Sequence, residues 1–285
     1  MTEQPSICTV PENRKAMFSF TFDDGTLDHL LIAAPELEKR GWHGTFYINP
    51  RSNDRAPSKH LSCSQIRELS DRGHEIGNHT MSHSNVSSLP PERIAWEISE
   101  CSRILRNITG KKVASYTAPC GLQNAFLSRL LECAFILNTP PRTGFGQNTN
   151  EEDVNNLLQK ILQPGTFTVG AFHGVAPGFG GWSPLKSADF FRHILDVFQR
   201  HEEDLYIDTF AANAHYRLRA AHTRLEEIQA DTFLVKLDPE YSFAEGFISL
   251  NLQERTQEIR INQIPVVSDL QGNVNVFPGD VIFCR

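Results

Sequence analysis

The sequence predicts an α/β protein, a barrel of roughly seven β/α units followed by a small antiparallel β module. Short apolar segments alternate with segments of helical spacing over most of the chain, which is typical of a parallel sheet or barrel. The last quarter instead alternates apolar and polar residues between turn residues, as antiparallel strands do. We therefore expect a barrel domain over residues 1–222 and a small all-β accessory domain over residues 223–285.

The first barrel strand shows the pattern that the other elements repeat. Three phenylalanines alternate with Ser19 and Thr21 in residues 17–22, which is the period of a strand. Thr26 is expected to cap the next helix, and Gly41 to end it. Further barrel strands are predicted at residues 44–49, 74–78, 113–117, 134–138, 166–172 and 205–209. Further helices are predicted at residues 65–72, 90–107, 125–132, 153–162, 189–200 and 211–225. The strands of the β module are predicted at residues 232–237, 246–252, 258–261 and 274–277.

Composition excludes several kinds of partner. The net charge is −7 and no block of Lys and Arg opposes it, so neither nucleic acid nor an anionic membrane is an expected partner. No apolar run is long enough to span a bilayer. The start of the sequence shows no secretory signal, so a cytoplasmic location is the default expectation, and a secreted or periplasmic one if a leader was removed. The six cysteines lie at no metal-knuckle or redox spacing.

Two adjacent carboxylates, Asp23 and Asp24, follow the first barrel strand directly. Like charges so close raise one pKa unless a cation or hydrogen-bond donors stabilise both. A metal ion is the usual compensation in proteins, which directs the search to further ligands. The alternative is an ordinary turn in which one Asp caps the following helix.

Histidines follow two other predicted strands at the same kind of position. His79 and His83 are four residues apart, a spacing that lets both imidazoles bind one metal from the same face of a helical turn. His173 follows the strand at 166–172. Because the carboxyl ends of parallel strands meet at one edge, the sequence predicts a metal hydrolase site there. Taken singly, the histidine pair could be accidental and His173 structural.

These motifs together resemble a known family. Thr21-Phe-Asp-Asp-Gly25, His79-Thr-x-x-His83 and a late Phe172-His173 are similar to the motifs of the polysaccharide deacetylases, also called carbohydrate esterase family four or the NodB-homology domain. The resemblance covers about residues 15–216. It implies a distorted (β/α)7 barrel that removes an acetyl group from an N-acetylated or O-acetylated sugar or polysaccharide.

The resemblance also implies a role for each matching residue. Asp24, His79 and His83 would bind a divalent metal, most often zinc (Zn²⁺), with Co²⁺ or Ni²⁺ as alternatives. Asp23 would be the general base that takes a proton from the attacking water. His173 would protonate the departing amine or alcohol, and the main-chain N–H of Cys120 would stabilise the oxyanion.

The sequence departs from the family at two points. Thr117 stands where the family has an arginine that orients the catalytic Asp, so either another cation such as Arg142 replaces it or the base is tuned differently. The family's acidic partner for the late histidine has no clear match. Asp208 is a candidate for it, and its alternative role is to cap the helix that follows.

The glycine-rich loop after His173 carries two aromatic residues, Phe179 and Trp182. They are candidates to stack on a sugar ring, whereas the alternative is that Trp182 packs on the barrel rim. The expected partner is thus a carbohydrate or an acetylated small molecule. The alternatives are a weakly active or inactive metal-containing carbohydrate-binding protein and a hydrolase of a non-sugar amide. The sequence leaves the oligomeric state open.

Overall fold

The barrel part of the fold is built from parallel strands joined by helices. The computed structural model describes residues 4–51, 58–244, 246–253 and 255–285. After an initial strand β1 (Ser6–Ile7), the barrel strands are β2 (Ala16–Asp23), β3 (Thr45–Ile48), β4 (Glu75–Asn78), β5 (Ser115–Tyr116), β6 (Leu137–Asn138), β7 (Thr143–Phe145), β8 (Phe167–Phe172) and β9 (Leu205–Ile207). The helices are α1 (Ala34–Glu38), α2 (Cys63–Asp71), α3 (Pro91–Thr109), α4 (Ala125–Cys133), α5 (Glu151–Ile161), α6 (Ala188–Gln199) and α7 (Phe210–His222).

All pairings within the barrel sheet are parallel, and β2 is its central strand. The strand order is β6-β5-β4-β3-β2-β8-β7, with β9 also pairing with the start of β2. The sheet curves into the predicted distorted (β/α)7 barrel, so the fold class is confirmed. The short strand β7 was not predicted. Together with β6 it forms the two ends of the sheet, and residues 139–142 link them.

Strand β2 separates an aromatic layer from a polar barrel interior. Its residues alternate in direction, so Phe18, Phe20 and Phe22 pack toward the helices in the main hydrophobic core. The Phe20 ring stacks on Trp42 with centroids 5.8 Å apart. Thr21 lies on the other face, where its hydroxyl donates to the Gly170 carbonyl at 2.8 Å. The same alternation places Asp23 on that polar face.

The C-terminal part contains two antiparallel sheets that share one core. Its strands are β10 (Thr223–Gln229), β11 (Thr232–Leu237), β12 (Ile248–Asn251), β13 (Ile259–Ile261), β14 (Ile264–Val266), β15 (Asn273–Val276) and β16 (Val281–Cys284). One sheet has the order β10-β11-β16-β13-β14 and the other the order β1-β12-β15. Phe233, Val235, Ile248 and Val276 belong to the core between them. The predicted antiparallel module is therefore confirmed.

Besides β7, strands β14 and β16 were not predicted, and three further differences affect how elements begin, end or pair. The helix predicted at 211–225 ends at His222, because residues 223–229 pair with β11 and this pairing outweighs their helix-favouring Glu and Arg. Ser6–Ile7 pairs with β12, so the first residues join the C-terminal sheets rather than the barrel domain predicted for 1–222. The helix after β2 opens with a π-helical turn at His29–Ala33, and Thr26 does not cap it. The domain division at residue 222 stays a prediction.

Helix α7 joins the two parts through buried polar contacts. The Tyr216 hydroxyl donates to the Cys8 carbonyl at 2.9 Å and accepts from the Ser249 N–H at 3.2 Å. The Arg219 guanidinium donates to the Phe247 carbonyl at 3.0 Å. Within the described ranges, no helix combines the length and the apolar character that crossing a membrane requires.

His74, next to β4, makes folding stability depend on pH. Burial lowers the pKa of His74 from 6.5 to about 4, although its hydrogen bond with Glu38 at 2.9 Å opposes this shift. Nδ1 accepts from the Gly44 N–H at 3.1 Å, so the neutral ring carries its proton on Nε2. Because the unfolded chain binds the proton more readily, stability is highest above pH 6.5 and is lost as pH falls toward 4.

We expect His74 to account for about 2 kcal/mol of the fall in unfolding free energy between pH 7.5 and pH 5. Denaturant unfolding at both pH values measures this fall. It should be smaller by that amount in His74→Gln, which keeps a donor and an acceptor but does not titrate. His201→Gln, outside this network, is the control and should keep the wild-type slope. An unchanged slope in His74→Gln would contradict the prediction.

Candidate active site

The functional side chains predicted from the sequence meet at the carboxyl ends of the barrel strands. Asp23 is the last residue of β2 and Asp24 follows it, His79 follows β4, and His173 follows β8. These strands run parallel, and β2 pairs directly with β8, so their ends lie at one edge. The structure therefore assembles in space four residues that are up to 150 positions apart in the sequence.

Asp24, His79 and His83 form a cluster whose potential ligand atoms all lie within 4.8 Å of one another. Oδ1 of Asp24 is 3.3 Å from Nε2 of His83 and 3.6 Å from Nε2 of His79. Burial would raise the pKa of Asp24, but hydrogen bonding by His83 and the electrostatic influence of the nearby imidazoles hold it below its ordinary value. The carboxylate is therefore ionised at neutral pH.

The buried ring of His79 tests whether this cluster fits a metal. Its Nδ1 donates to the Thr117 carbonyl at 2.8 Å, because a carbonyl can only accept. The proton is then on Nδ1 and the lone pair on Nε2. Nε2 is buried, faces Asp24, and has no hydrogen-bond partner among the described residues. A directed lone pair beside a carboxylate and a second imidazole fits a divalent metal with nitrogen and oxygen ligands.

The segment from His79 to His83 is a loop rather than the expected helical turn. Glu97 on α3 is fully buried and holds this loop, accepting from the Ser82 N–H at 2.9 Å and the Ser82 hydroxyl at 2.7 Å. Asn78 fixes the start of the loop by accepting from the Thr80 N–H at 2.8 Å. Sequence reasoning missed both residues, since a Glu in a helix gives no local sign that it binds a distant loop.

The backbone is strained where these residues meet. Asp24, Thr80, His83 and Cys120 have φ values of 75°, 62°, 56° and 56°, in the left-handed region that non-glycine residues rarely adopt. A β-branched residue such as Thr80 is especially unfavourable there. Such strain persists only where surrounding contacts enforce it, and it clusters at functional sites.

Arg142 compensates the buried charge of Asp23. Its guanidinium donates from Nη1 to Oδ1 at 2.7 Å and from Nη2 to Oδ2 at 2.6 Å, a two-point contact. Burial would raise the pKa of Asp23, but the charge and hydrogen bonds of Arg142 outweigh it and hold that pKa below its ordinary value. The prediction that Arg142 could take the place of the missing arginine is confirmed as a contact.

The link between the two ends of the sheet delivers Arg142 to this position. Residues 139–142 connect β6 to β7 and carry the arginine across the mouth of the barrel. Thr117, at the position of the family arginine, instead accepts from the Thr139 hydroxyl at 2.9 Å. A threonine pair thus stands at that position, and the guanidinium reaches the same carboxylate from another strand end.

His173 lies at the open side of Asp23. Its Nε2 is 3.8 Å from Oδ2 of Asp23, and its ring contacts Trp182 edge to face with centroids 4.9 Å apart. Trp182 is 71% exposed, so it does not pack into the barrel rim. Phe179 is partly exposed on the same loop. Cys120 is exposed in the turn Pro119–Gly121, three residues after the carbonyl that orients His79.

Asp208 does not reach His173, which corrects the predicted pairing. Its N–H donates to the Phe18 carbonyl, whereas Phe172, next to His173, pairs with Phe22. The separation of four positions between Phe18 and Phe22 corresponds to about 13 Å along the strand. Asp208 therefore lies toward the opposite end of the barrel, where its carboxylate accepts from the Thr209 N–H at 2.7 Å. Thr209, not Asp208, caps α7.

Comparisons with known proteins agree with this fold and site. The family model described as polysaccharide deacetylase matches residues 11–133. A chitooligosaccharide deacetylase of Azorhizobium caulinodans is 30% identical over 157 residues, which cover 54% of this chain and 70% of that protein. A chitin deacetylase of Pestalotiopsis is 30% identical over 112 residues, and the match spans 39% of this chain and only 35% of that relative.

Solved structures show the same fold at lower identity. The peptidoglycan deacetylase PdaC of Bacillus subtilis has a TM-score of 0.52 at 16% identity, with 70% of this chain and 90% of that chain covered. A CE4 family pseudoenzyme of Bacillus anthracis has a TM-score of 0.53 at 15% identity, with 69% and 64% covered.

The fold and the site together define a class, the parallel β/α barrels with a carboxylate and histidine cluster at the strand ends. Within that class, this chain belongs to the polysaccharide deacetylase family.

We expect His79→Ala and His83→Ala each to lower the bound metal content of purified protein by at least about tenfold, because each would remove one of the three candidate ligands. Elemental analysis after dialysis against zinc measures it. His173→Ala is the matched control, since His173 lies outside the cluster, and it should keep the wild-type content. Full occupancy in both single variants would contradict the assignment.

Proposed function

We propose that the protein is a metal-dependent hydrolase that removes an acetyl group from an N-acetylated or O-acetylated sugar or polysaccharide. The observation that supports this most directly is the buried Asp23–Arg142 contact beside the Asp24, His79 and His83 cluster. Binding a metal requires neither Asp23 nor Arg142. A general base in acyl hydrolysis, in contrast, requires an oriented carboxylate of this kind.

Asp24, His79 and His83 would hold the metal, with zinc as the first choice and Co²⁺ or Ni²⁺ as alternatives. When bound, a divalent metal supplies polarisation of the acetyl carbonyl and a lowered pKa of the attacking water. A carboxylate of low basicity, such as Asp23, can accept a proton from a water acidified in this way.

Asp23 would take the proton of the attacking water. Arg142 keeps this carboxylate ionised and fixes its plane by contacting both oxygens. Each oxygen has a second lone pair with which it can accept a proton. The contact with Arg142 therefore leaves Asp23 able to accept a proton and reduces its freedom to turn away from the water.

His173 and Cys120 would act on the other parts of the reacting group. His173 is partly exposed at the open side of Asp23, where it can donate a proton to the leaving amine or alcohol. The Cys120 main-chain N–H would donate to the oxyanion, a role that does not depend on its side chain. The left-handed backbone at Cys120 sets the direction of that N–H.

Trp182 and Phe179 would form a platform for the sugar ring. The exposed indole of Trp182 lies beside the proposed proton donor, His173, and most of its surface is accessible to solvent. It therefore offers an apolar face on which a sugar ring can stack. The substrate would then be a carbohydrate or an acetylated small molecule with a flat apolar face. The division into a barrel domain, residues 1–222, and a β accessory domain, residues 223–285, belongs to the same proposal.

Acetate release from chitooligosaccharides and acetylated xylan, with zinc or cobalt added, tests the function. Wild type should release acetate, and Asp23→Asn should lose about 10²- to 10⁴-fold in kcat while keeping its metal. A wild-type protein that binds metal but releases no acetate from any acetylated substrate would overturn the proposal. That outcome would favour the alternative, a carbohydrate-binding protein without turnover.

Substitutions of Arg142 should lower kcat to different extents. Arg142→Gln leaves a buried carboxylate without its partner, so we expect lower kcat and a loss of about 3–5 kcal/mol in unfolding stability. Arg142→Lys keeps the charge but not the two-point geometry, so its kcat should lie between those of wild type and Arg142→Gln. Arg129→Gln, at an exposed site on α4, is the control. Equal kcat in all four proteins would rule out orientation of the base by Arg142.

Trp182→Ala should raise KM for chitooligosaccharides about tenfold with little change in kcat, because stacking holds the ring in the ground state and the transition state alike. The exposed position of Trp182 makes a folding defect unexpected. Trp96→Ala removes another exposed tryptophan, which lies on α3 against Arg93, and should leave KM unchanged. Steady-state kinetics of both variants measure KM and kcat, and an unchanged KM in Trp182→Ala would contradict the stacking role.

A further inference from the structure

The turn after β2 is in direct contact with the backbone of the His173 segment. We propose that His29 and Asp28 are positioning residues that fix His173 by holding its main chain and the two residues that follow Gly174. This inference rests on the proposed function, because it assigns His173 a proton to deliver. It concerns residues that neither the sequence motifs nor the metal cluster includes.

His29 is fully buried and holds the His173 carbonyl. Its Nε2 lies 2.7 Å from that oxygen, and since a carbonyl only accepts, Nε2 must carry the proton. Nδ1 then has a lone pair. This atom is buried and has no hydrogen-bond partner among the described residues, with the ring lying against Phe22 and Phe46. Nε2 also lies 3.1 Å from the Thr26 hydroxyl. A histidine kept at the cost of an unpaired buried acceptor indicates that the hydrogen bonding of its Nε2 is needed.

Asp28 holds the next part of the same segment. Its Oδ2 accepts from the Val175 N–H at 2.7 Å and from the Ala176 N–H at 3.3 Å. Its Oδ1 accepts from the Thr26 hydroxyl at 2.5 Å. The carboxylate is fully buried, so these donors replace the water that it would otherwise bind. The backbone from His173 to Ala176 is therefore anchored at three main-chain groups.

The local helix geometry brings both residues into position. The helix after β2 begins with a π-helical turn at His29–Ala33, a rare geometry that often occurs at functional sites. The wider turn changes the direction of the side chain at its start, compared with an α-helix. Because Asp24 lies only five positions before His29, the same short segment carries the proposed base, a proposed metal ligand and the anchors of the proposed acid.

Anchoring the main chain on this side leaves the His173 ring directed at the other side. There the ring is 3.8 Å from Asp23 and touches Trp182. A shift of about 1 Å in a proton donor is enough to lower the rate substantially. Loss of the anchors should therefore reduce kcat rather than substrate affinity.

Kinetics of three variants on a chitooligosaccharide test the proposal. His29→Phe keeps the ring packing but removes the donor, and we expect kcat to fall about 10- to 100-fold with KM and metal content unchanged. Its Tm should stay within about 4 °C of wild type, because the unpaired acceptor is lost with the donor. His29→Gln restores a donor near Nε2 and should recover at least a third of kcat. His193→Phe, on the outer helix α6, is the control.

A kcat of His29→Phe within twofold of wild type would overturn the proposal, as would a fall that His29→Gln does not reverse. Crystal structures of wild type and His29→Phe give a readout without turnover. A His173 ring displaced by more than about 1 Å from Asp23 supports the role, and an unchanged ring refutes it. If wild type releases no acetate, the proposed function fails, and these structures still decide whether the anchors position His173.

Discussion

The site depends on how two adjacent carboxylates remain ionised at the end of a buried strand. Burying one ionised carboxylate without a partner is costly, and burying two side by side adds their repulsion. The chain separates the two charges because Asp23 is the last residue of β2, whereas Asp24 lies in the turn that follows the strand. Asp23 turns to the polar interior and meets Arg142, whereas Asp24 takes a left-handed backbone and meets His79 and His83. Each carboxylate therefore has its own compensation, and β2 can remain the central strand of the sheet.

The origin of Arg142 shows that the chemistry is specified in space rather than by order in the chain. A guanidinium is required beside Asp23, but several strand ends border the same edge, and any of them can supply it. Here the link between β6 and β7 does so, since these strands are the two ends of the sheet and their connection must cross the barrel mouth. Thr117 and Thr139 stand where the family arginine would be. Removing one partner of such a buried pair is more damaging than its net contribution suggests, because the other charge is left unpaired.

The sequence predicted the parts of the site that strand ends determine and missed those that tertiary contacts determine. Asp23, Asp24, His79 and His173 lie at the ends of predicted strands, so their common edge could be inferred from the parallel sheet. Arg142 follows two prolines rather than a predicted strand. The sequence therefore offered it as a replacement for the family arginine only beside the alternative that the base is tuned differently. Glu97 acts on the loop from His79 to His83 from a separate helix, and no local spacing reveals this. The predicted pairing of Asp208 with His173 was wrong because β9 pairs with the start of β2, a register that composition does not show. Strand β10 was missed because helix-favouring residues were overridden by pairing with β11.

Exposure across the site sets the direction from which a substrate can approach. Asp23 and His79 are 1% exposed, the His83 side chain is 35% exposed, and Trp182 is 71% exposed. Among the described residues, His83 and the loop after His173 therefore border an open approach to the buried carboxylate of Asp23. The groups on the closed side, Arg142 and the anchors of the His173 backbone, need rigidity, whereas Trp182 on the open side needs access. A barrel edge meets both requirements, because the strands fix the first set and the loops that extend beyond them carry the second.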